Sequence, residues 1–245
     1  MKIGLLIPSR ERLDLKLTLI SSIITSVDSI DNINIHFGID ADDPTLDIAH
    51  KIANAIPCVK IHIIENDGKF IGINRIWNIL AKQSDDDIFG YIGDDMIFRT
   101  KGWDTKIINE FSGDKLPEDQ IKMVHCWDGY QGAKLSVNAF VHRKYYEVMG
   151  YFCRPEFLIN YSDSWMIQMF RAFDRVTYLE DVFIQHNHWV FGNRKKDATA
   201  DRMLADGNDK ASDQMWANLR GQHHEDIKKL GEYLKKTPDW NKVDP

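Results

Sequence analysis

Four times within the first 95 residues a short apolar run stops at a polar cluster, and the segments between the runs carry helical apolar spacing. Residues 3 to 7 form an unbroken apolar stretch, the pattern of a strand buried on both faces, and end at Pro8, Ser9 and Arg10. Leu13, Leu17, Ile20, Ile24 and Val27 follow at steps of four and three, which is one stripe of a helix. Ile33, Ile35, Phe37 and Ile39 then alternate as a strand does, closed by Asp40 to Pro44. A helix over 45–55, a strand over 59–64 and a helix carrying Ile73, Ile76, Trp77 and Leu80 repeat the unit. The fourth run, Ile88 to Ile92, ends at Gly93-Asp94-Asp95.

Strands that alternate with helices over short connections predict an α/β fold with a mostly parallel central sheet flanked by helices, and ligands of such sheets bind beyond the strands' carboxyl ends. The polar clusters fall at those ends. Downstream the pattern is mixed, with strand-like runs at 121–126 and 135–142, a helix at 163–173 and a strand at 176–185. Residues 194–209 read as a polar loop, and Trp216, Leu219, Ile227, Leu230 and Leu234 as one final amphipathic helix. We divide the chain into a main domain at 1–195, with halves at 1–100 and 101–195, and a C-terminal helical tail at 196–245.

With 43% apolar and 28% charged residues the chain has the balance of a folded protein, and its formal net charge of −6 repels polyanions, which disfavours nucleic acid as a partner or acceptor. Three scattered cysteines without a Cys-x-x-Cys pair fit a reducing cytoplasm. No stretch approaches the roughly 20 apolar residues of a membrane span.

Asp94 and Asp95 directly follow an apolar strand, so two carboxylates are crowded together at the sheet edge. Their repulsion is relieved by a divalent cation, for which oxygen ligands suit Mg2+ or Mn2+; the plain alternative is a turn with solvated aspartates. His186 and His188, two apart, project to one face of a strand and can complete the site begun by Asp95. His223-His224 lies in the tail helix and reads as surface. Asp163 stands where the stripe Trp165, Met166, Met169, Phe170 and Phe173 begins, which suits an N-cap or a general base alike. Trp127, Tyr161 and Trp189 are candidates for stacking on an acceptor, and Lys195 and Lys196 for reaching phosphate from a closing loop.

The order of these motifs resembles the GT-A glycosyltransferases of the family-2 type, particularly stand-alone members of bacteria and phages. It runs Ile-Pro-Ser-Arg after the first strand, Gly-Ile-Asp-Ala-Asp-Asp after the second, Gly-Ile-Asn-Arg-Ile-Trp-Asn opening a helix, then Tyr-Ile-Gly-Asp-Asp. The resemblance covers residues 2 to about 192 and implies transfer of a sugar from a nucleotide-diphosphate donor, UDP-linked by preference, to an acceptor hydroxyl. It implies that Pro8, Ser9 and Arg10 line the nucleotide pocket, that Asp40 holds base or ribose, and that Asn74 or Asn78 faces the diphosphate or sugar. Asp95 takes the place of the metal-binding aspartate of the DXD motif, Asp94 touches ribose or sugar, and His186 or His188 closes the metal site. Asp163 falls at the catalytic-base position of inverting members. This chain has Gly-Asp-Asp in place of Asp-x-Asp, and Ser162 where the family usually carries Glu. A nucleotidyltransferase shares the acidic sheet edge but opens with a Gly-rich basic loop, and a carbohydrate-binding module without chemistry would keep the fold alone.

Overall fold

The computed structural model describes residues 1–243, so the last two positions of the tail lie outside the described residues. Strands β1 (Ile3–Ser9), β2 (Ile33–Asp40), β3 (Val59–Ile64) and β4 (Ile88–Tyr91) lie in the order β3-β2-β1-β4, all parallel. Helices α1 (Leu13–Ser26), α2 (Leu46–Ala55) and α3 (Ile73–Gln83) connect them, as the alternation requires. The sheet continues through β7 (Ala139–His142), β6 (Met123–Trp127), β8 (Val176–His186) and the short β5 (Met96–Phe98).

Direction decides where the site can form. Strand β7 runs antiparallel to both β4 and β6, and two reversals restore the original sense, so β8, parallel to β6, points the same way as β1 and β4. The end of β8 at His186 therefore lies on the same sheet edge as the ends of β1, β2 and β4. Strand β5 runs antiparallel to β8 with Met96 opposite His186, which brings the residue after Asp95 beside the first imidazole.

Helices cover both faces. One core holds Ile3, Leu5, Leu19, Phe37, Trp103 and Val182 beneath α1, α2 and α4 (Trp103–Glu110). The other holds Leu6, Trp77, Phe89, Phe152, Trp165 and Phe170 beneath α3, α5 (Arg143–Met149) and α6 (Ser162–Arg171).

Four expectations need correction. Residues 194–209 are not simply a loop: α7 (Ala198–Leu204) forms there, because Asp197 caps it by accepting the Ala200 N–H at 2.8 Å. The final helix is two, α8 (Asn208–Asn218) and α9 (Arg220–Leu234), separated at Leu219. His223 is interior rather than surface, since it sits one turn before Ile227 on the stripe that continues to Leu230 and Leu234, and its ring packs 4.3 Å from that of Trp165. Burying each of those aliphatic side chains contributes about 1.5–3 kcal/mol, which ties α9 into the second core. The run at 135–142 shortens to β7 because the buried Asn138 side chain accepts the Cys126 N–H and takes a place in the ladder.

Candidate active site

The carboxyl edge of the sheet opens into a cavity of about 460 Å³, lined among others by Pro8, Arg12, Trp77, Tyr91, Asp94, Asp95, Asp163, His186, His188, Trp189 and Arg194. Its floor is built from α3: the Trp77 indole N–H donates to the Leu6 carbonyl at 2.9 Å and the ring stacks on Tyr91 at 4.0 Å.

Asp94 and Asp95 follow β4 directly after Gly93, where a Cβ would lie 2.9 Å from the Asp95 carboxylate and would have to displace it. The two carboxylates diverge in role. Asp94 accepts from the Ser9 hydroxyl and from Arg12, both at 2.7 Å, so it is an internal counter-charge. Burial pushes its carboxyl upward, with Arg12 pulling the other way and the Asp95 charge adding to the rise. Asp95 faces the imidazoles. Burial opposes its ionisation, yet the hydrogen bond and charge of His186, helped by Arg12, hold it well below the usual carboxylate range.

Ligand atoms of Asp95, His186 and His188 all lie within 4.8 Å of one another, and His186 Nε2 stands 3.5 Å from the Asp95 carboxylate. Burial and the nearby His186 push His188 down to about 4, which leaves it a neutral imidazole near pH 7, with its Nδ1 accepting the Val190 N–H at 3.3 Å. The trio is fixed through the backbone as well: the Asn187 N–H donates to the Asp95 carbonyl at 2.9 Å and the His186 N–H to Asp128 at 3.0 Å.

Asp163 is the second residue of α6, and the N-cap position belongs to Tyr161, so Asp163 is not the cap itself. One of its oxygens accepts the Ser164 N–H at 2.8 Å; burial raises its carboxyl above the ordinary value, against the pull of that backbone bond. Two left-handed pairs aim the key side chains. Glu11 and Arg12 (φ 59° and 32°) bend the loop that brings Arg12 to Asp94, and Asn160 and Tyr161 (φ 60° and 62°) precede Asp163. Such conformations cost about 1 kcal/mol or more per non-glycine residue, and strain of this kind gathers at functional sites.

Beside the main cavity a smaller cleft is lined by Pro8, Ser9, Arg10, Asp40 and Arg202. Asp40 accepts from Arg10 at 3.0 Å and from Arg202 of α7 at 2.6 Å. Asn74 and Asn78 line neither space. The Asn78 carboxamide bonds the backbone at 152–153 and Asn74 donates to the Arg154 carbonyl, which ties α3 to the loop before α6. Trp189 reaches the cavity, whereas Trp127 and Tyr161 do not line it. Lys196 lies over the Trp189 ring at 5.3 Å and pairs with Asp201.

Sequence reasoning named Arg10 but passed over Arg12, Arg194 and Arg202. Arg12 grips Asp197 through two hydrogen bonds at 2.9 Å while holding Asp94, and Arg194 stands 3.6 Å from Asp95. Arg12 carried a signal, being the second arginine in the loop after β1. Arg194 and Arg202 look like any cations in a polar stretch.

No protein-family model matches the sequence, and no curated protein does. Solved structures do. The chain superposes on the mannosyltransferase PcManGT from Pyrobaculum calidifontis, in complex with GDP-Man and Mn2+, with a TM-score of 0.62 over 90% of this chain and 74% of that one, at 13% identity. The fold is that of the GT-A glycosyltransferases. S. aureus TarS 1-349 in complex with UDP aligns at a TM-score of 0.58 and 12% identity over 96% of this chain and 80% of that one. GalNAc-T7 with UDP, GalNAc and Mn2+ aligns at 0.64 and 12% identity over 98% of this chain, which spans 55% of that structure. At such identities the GT-A likeness speaks for the architecture, and the chemistry has to be argued from the site. Among the described residues no helix is long and apolar enough to cross a membrane.

Proposed function

We propose that this chain is a divalent-cation-dependent glycosyltransferase that moves a sugar from a nucleotide-diphosphate donor to an acceptor hydroxyl with inversion. The observation that carries the reading is the convergence of Asp95, His186 and His188 in the one cavity that also holds Asp163. The donor set fits a cation, because the carboxylate is held ionised and His188 is held neutral, as ligands must be. Two imidazoles beside one carboxylate favour Mn2+ over Mg2+. Bound there, the ion would neutralise charge gathering on the departing diphosphate.

The chain's own residues supply the rest. Asp163, with its carboxyl raised by burial, is a stronger base than an exposed aspartate, and takes the proton of the acceptor hydroxyl as its oxygen bonds the anomeric carbon. The bond from that carbon to the diphosphate oxygen breaks on the opposite face, which inverts the centre. Arg12 and Arg194 place positive charge at the cavity wall where an anionic leaving group would sit. Pro8, Ser9, Arg10 and Asp40 form the nucleotide end, within the donor half at 1–100, and residues 101–195 bring the base and the imidazoles. Neutral acceptors suit the net charge of −6 better than nucleic acid. Similarity to structures holding GDP-Man or UDP supports the donor class.

Thermal-shift titration with UDP- and GDP-sugars plus Mn2+ tests this. Stabilisation is expected only with the cation present and is lost in Asp95→Ala; a wild type that no nucleotide or nucleotide sugar stabilises with Mn2+ or Mg2+ overturns the reading.

A further inference from the structure

At the rim of the cavity the rings of Tyr130 and Phe191 stack face to face, with centroids 3.8 Å apart and planes 11° apart. Both side chains are 39% exposed, and the neighbouring Val190 is 59% exposed. Exposed apolar side chains are ordinary when scattered, but a cluster next to a functional cavity marks a contact surface. This cluster is continuous with the cavity: Val190 belongs to its lining, and the Phe191 ring meets those of His186 and His188 edge-on at 6.4 and 6.1 Å.

The plate is also held rigid, which an incidental surface pair does not require. The Asp128 side chain is fully buried, and a single one of its oxygens accepts the N–H groups of Tyr130, Gln131 and Gly132 at 3.3, 2.8 and 3.0 Å. Withdrawing a carboxylate from water is costly unless such bonds compensate it, and here they fix the turn that presents Tyr130. From the other side the Asn193 carboxamide bonds the Tyr130 hydroxyl. The result is an apolar plate about one ring wide with a hydroxyl and a carboxamide at its edge.

We infer that this stack is the acceptor subsite and that the acceptor is a saccharide, one of whose rings lies on an outer face of the Tyr130–Phe191 stack with its hydroxyl directed at Asp163. The inference rests on the transferase reading and names its acceptor class. A pyranose ring has a face of C–H groups and a rim of hydroxyls, which matches an aromatic face edged by hydrogen-bonding groups. A lipid surface asks for a broader apolar area, and a polyanion is opposed by the net charge of −6.

Saturation-transfer NMR with maltotriose, cellotriose, chitotriose and mannotriose, on protein holding UDP and Mn2+, tests the inference. At least one of the four should receive saturation at its ring C–H protons. Phe191→Ala and Tyr130→Ala should weaken that binding by about three- to tenfold, Phe191→Tyr should keep it, and circular dichroism should show all three folded. Saturation of none of the sugars, or equal binding by both alanine variants, overturns the inference. So does binding of phosphatidylcholine–phosphatidylglycerol vesicles or of a thymidine decamer that depends on Phe191 when no sugar binds. Nucleotide stabilisation with Mn2+ is read separately, so loss of the transferase reading and loss of the saccharide reading give different results.

Discussion

The two contributions to the cavity are made in opposite ways. Residues 3–98 bring carboxylates on the ends of strands whose side chains are almost entirely buried, so Asp94 and Asp95 are positioned by a rigid sheet. His186 ends β8, whereas residues 188–204 bring His188, Arg194 and Arg202 on a short 3-10 turn, a loop and α7, which meet the sheet through ion pairs: Arg12 to Asp197, Arg202 to Asp40 and Arg194 beside Asp95. Packing fixes the acids and His186, and charge helps to hold the rest. The acidic side should therefore be insensitive to conditions that loosen the basic side.

The sharpest break between the two comes from Asp163→Asn, which removes the proposed base and leaves both halves packed. Transfer should fall by about 10²- to 10⁴-fold while stabilisation by nucleotide and Mn2+ persists. Residual transfer within tenfold of wild type would show that the base lies elsewhere.

A second, smaller effect reads the buried histidines of the core by pH. Burial pushes His125 and His223 down to about 4 in the folded chain, with Arg171 adding for His125, against about 6.5 when unfolded. Between pH 4 and 6.5 the unfolded chain thus binds protons that the folded one refuses, so stability rises with pH across that window and is complete above it. Acidification from pH 7 towards 4 should remove up to about 3 kcal/mol for each, seen as a falling thermal midpoint. A midpoint flat over that range in His125→Gln and wild type alike would contradict it.

The smallest effect isolates the charged latch. Arg202→Ala should cost about 1 kcal/mol or less in global stability, because Asp40 keeps Arg10, yet should speed proteolysis within 194–207. Unchanged cleavage would mean that α7 is held by its apolar contacts and not by its ion pairs.

How much of this was legible follows the same division. The four parallel strands and the acids at their ends were readable, because burial on both faces writes unbroken apolar runs and each run ends visibly. Convergence of His186 and His188 on Asp95 was anticipated from spacing and resemblance, but its cause, two strand reversals that return β8 to the original direction, leaves no mark in local periodicity. Asn74 in the first turn of α3 and Asn78 one turn later stand where a ligand contact and a loop tie look alike, and here their carboxamides bond the backbone at 152–154. Arg202 meets Asp40 across 162 positions, a pairing no window of sequence displays. His223 was misplaced because two adjacent histidines hide which of them continues the apolar stripe.

The pairing of β5 with β8 has a further consequence. Met96, Ile97 and Phe98 face His186, Gln185 and Ile184, and those three rungs, with the bond from the Asn187 N–H to the Asp95 carbonyl, set the acid against the first imidazole. A slip of one residue would turn His186 to the reverse side of the sheet. Because β8 reaches that ladder only after β7 and β6 have reversed the chain twice, insertions in the stretch between β5 and β8 leave Asp95 and His186 together only where they spare both of those strands.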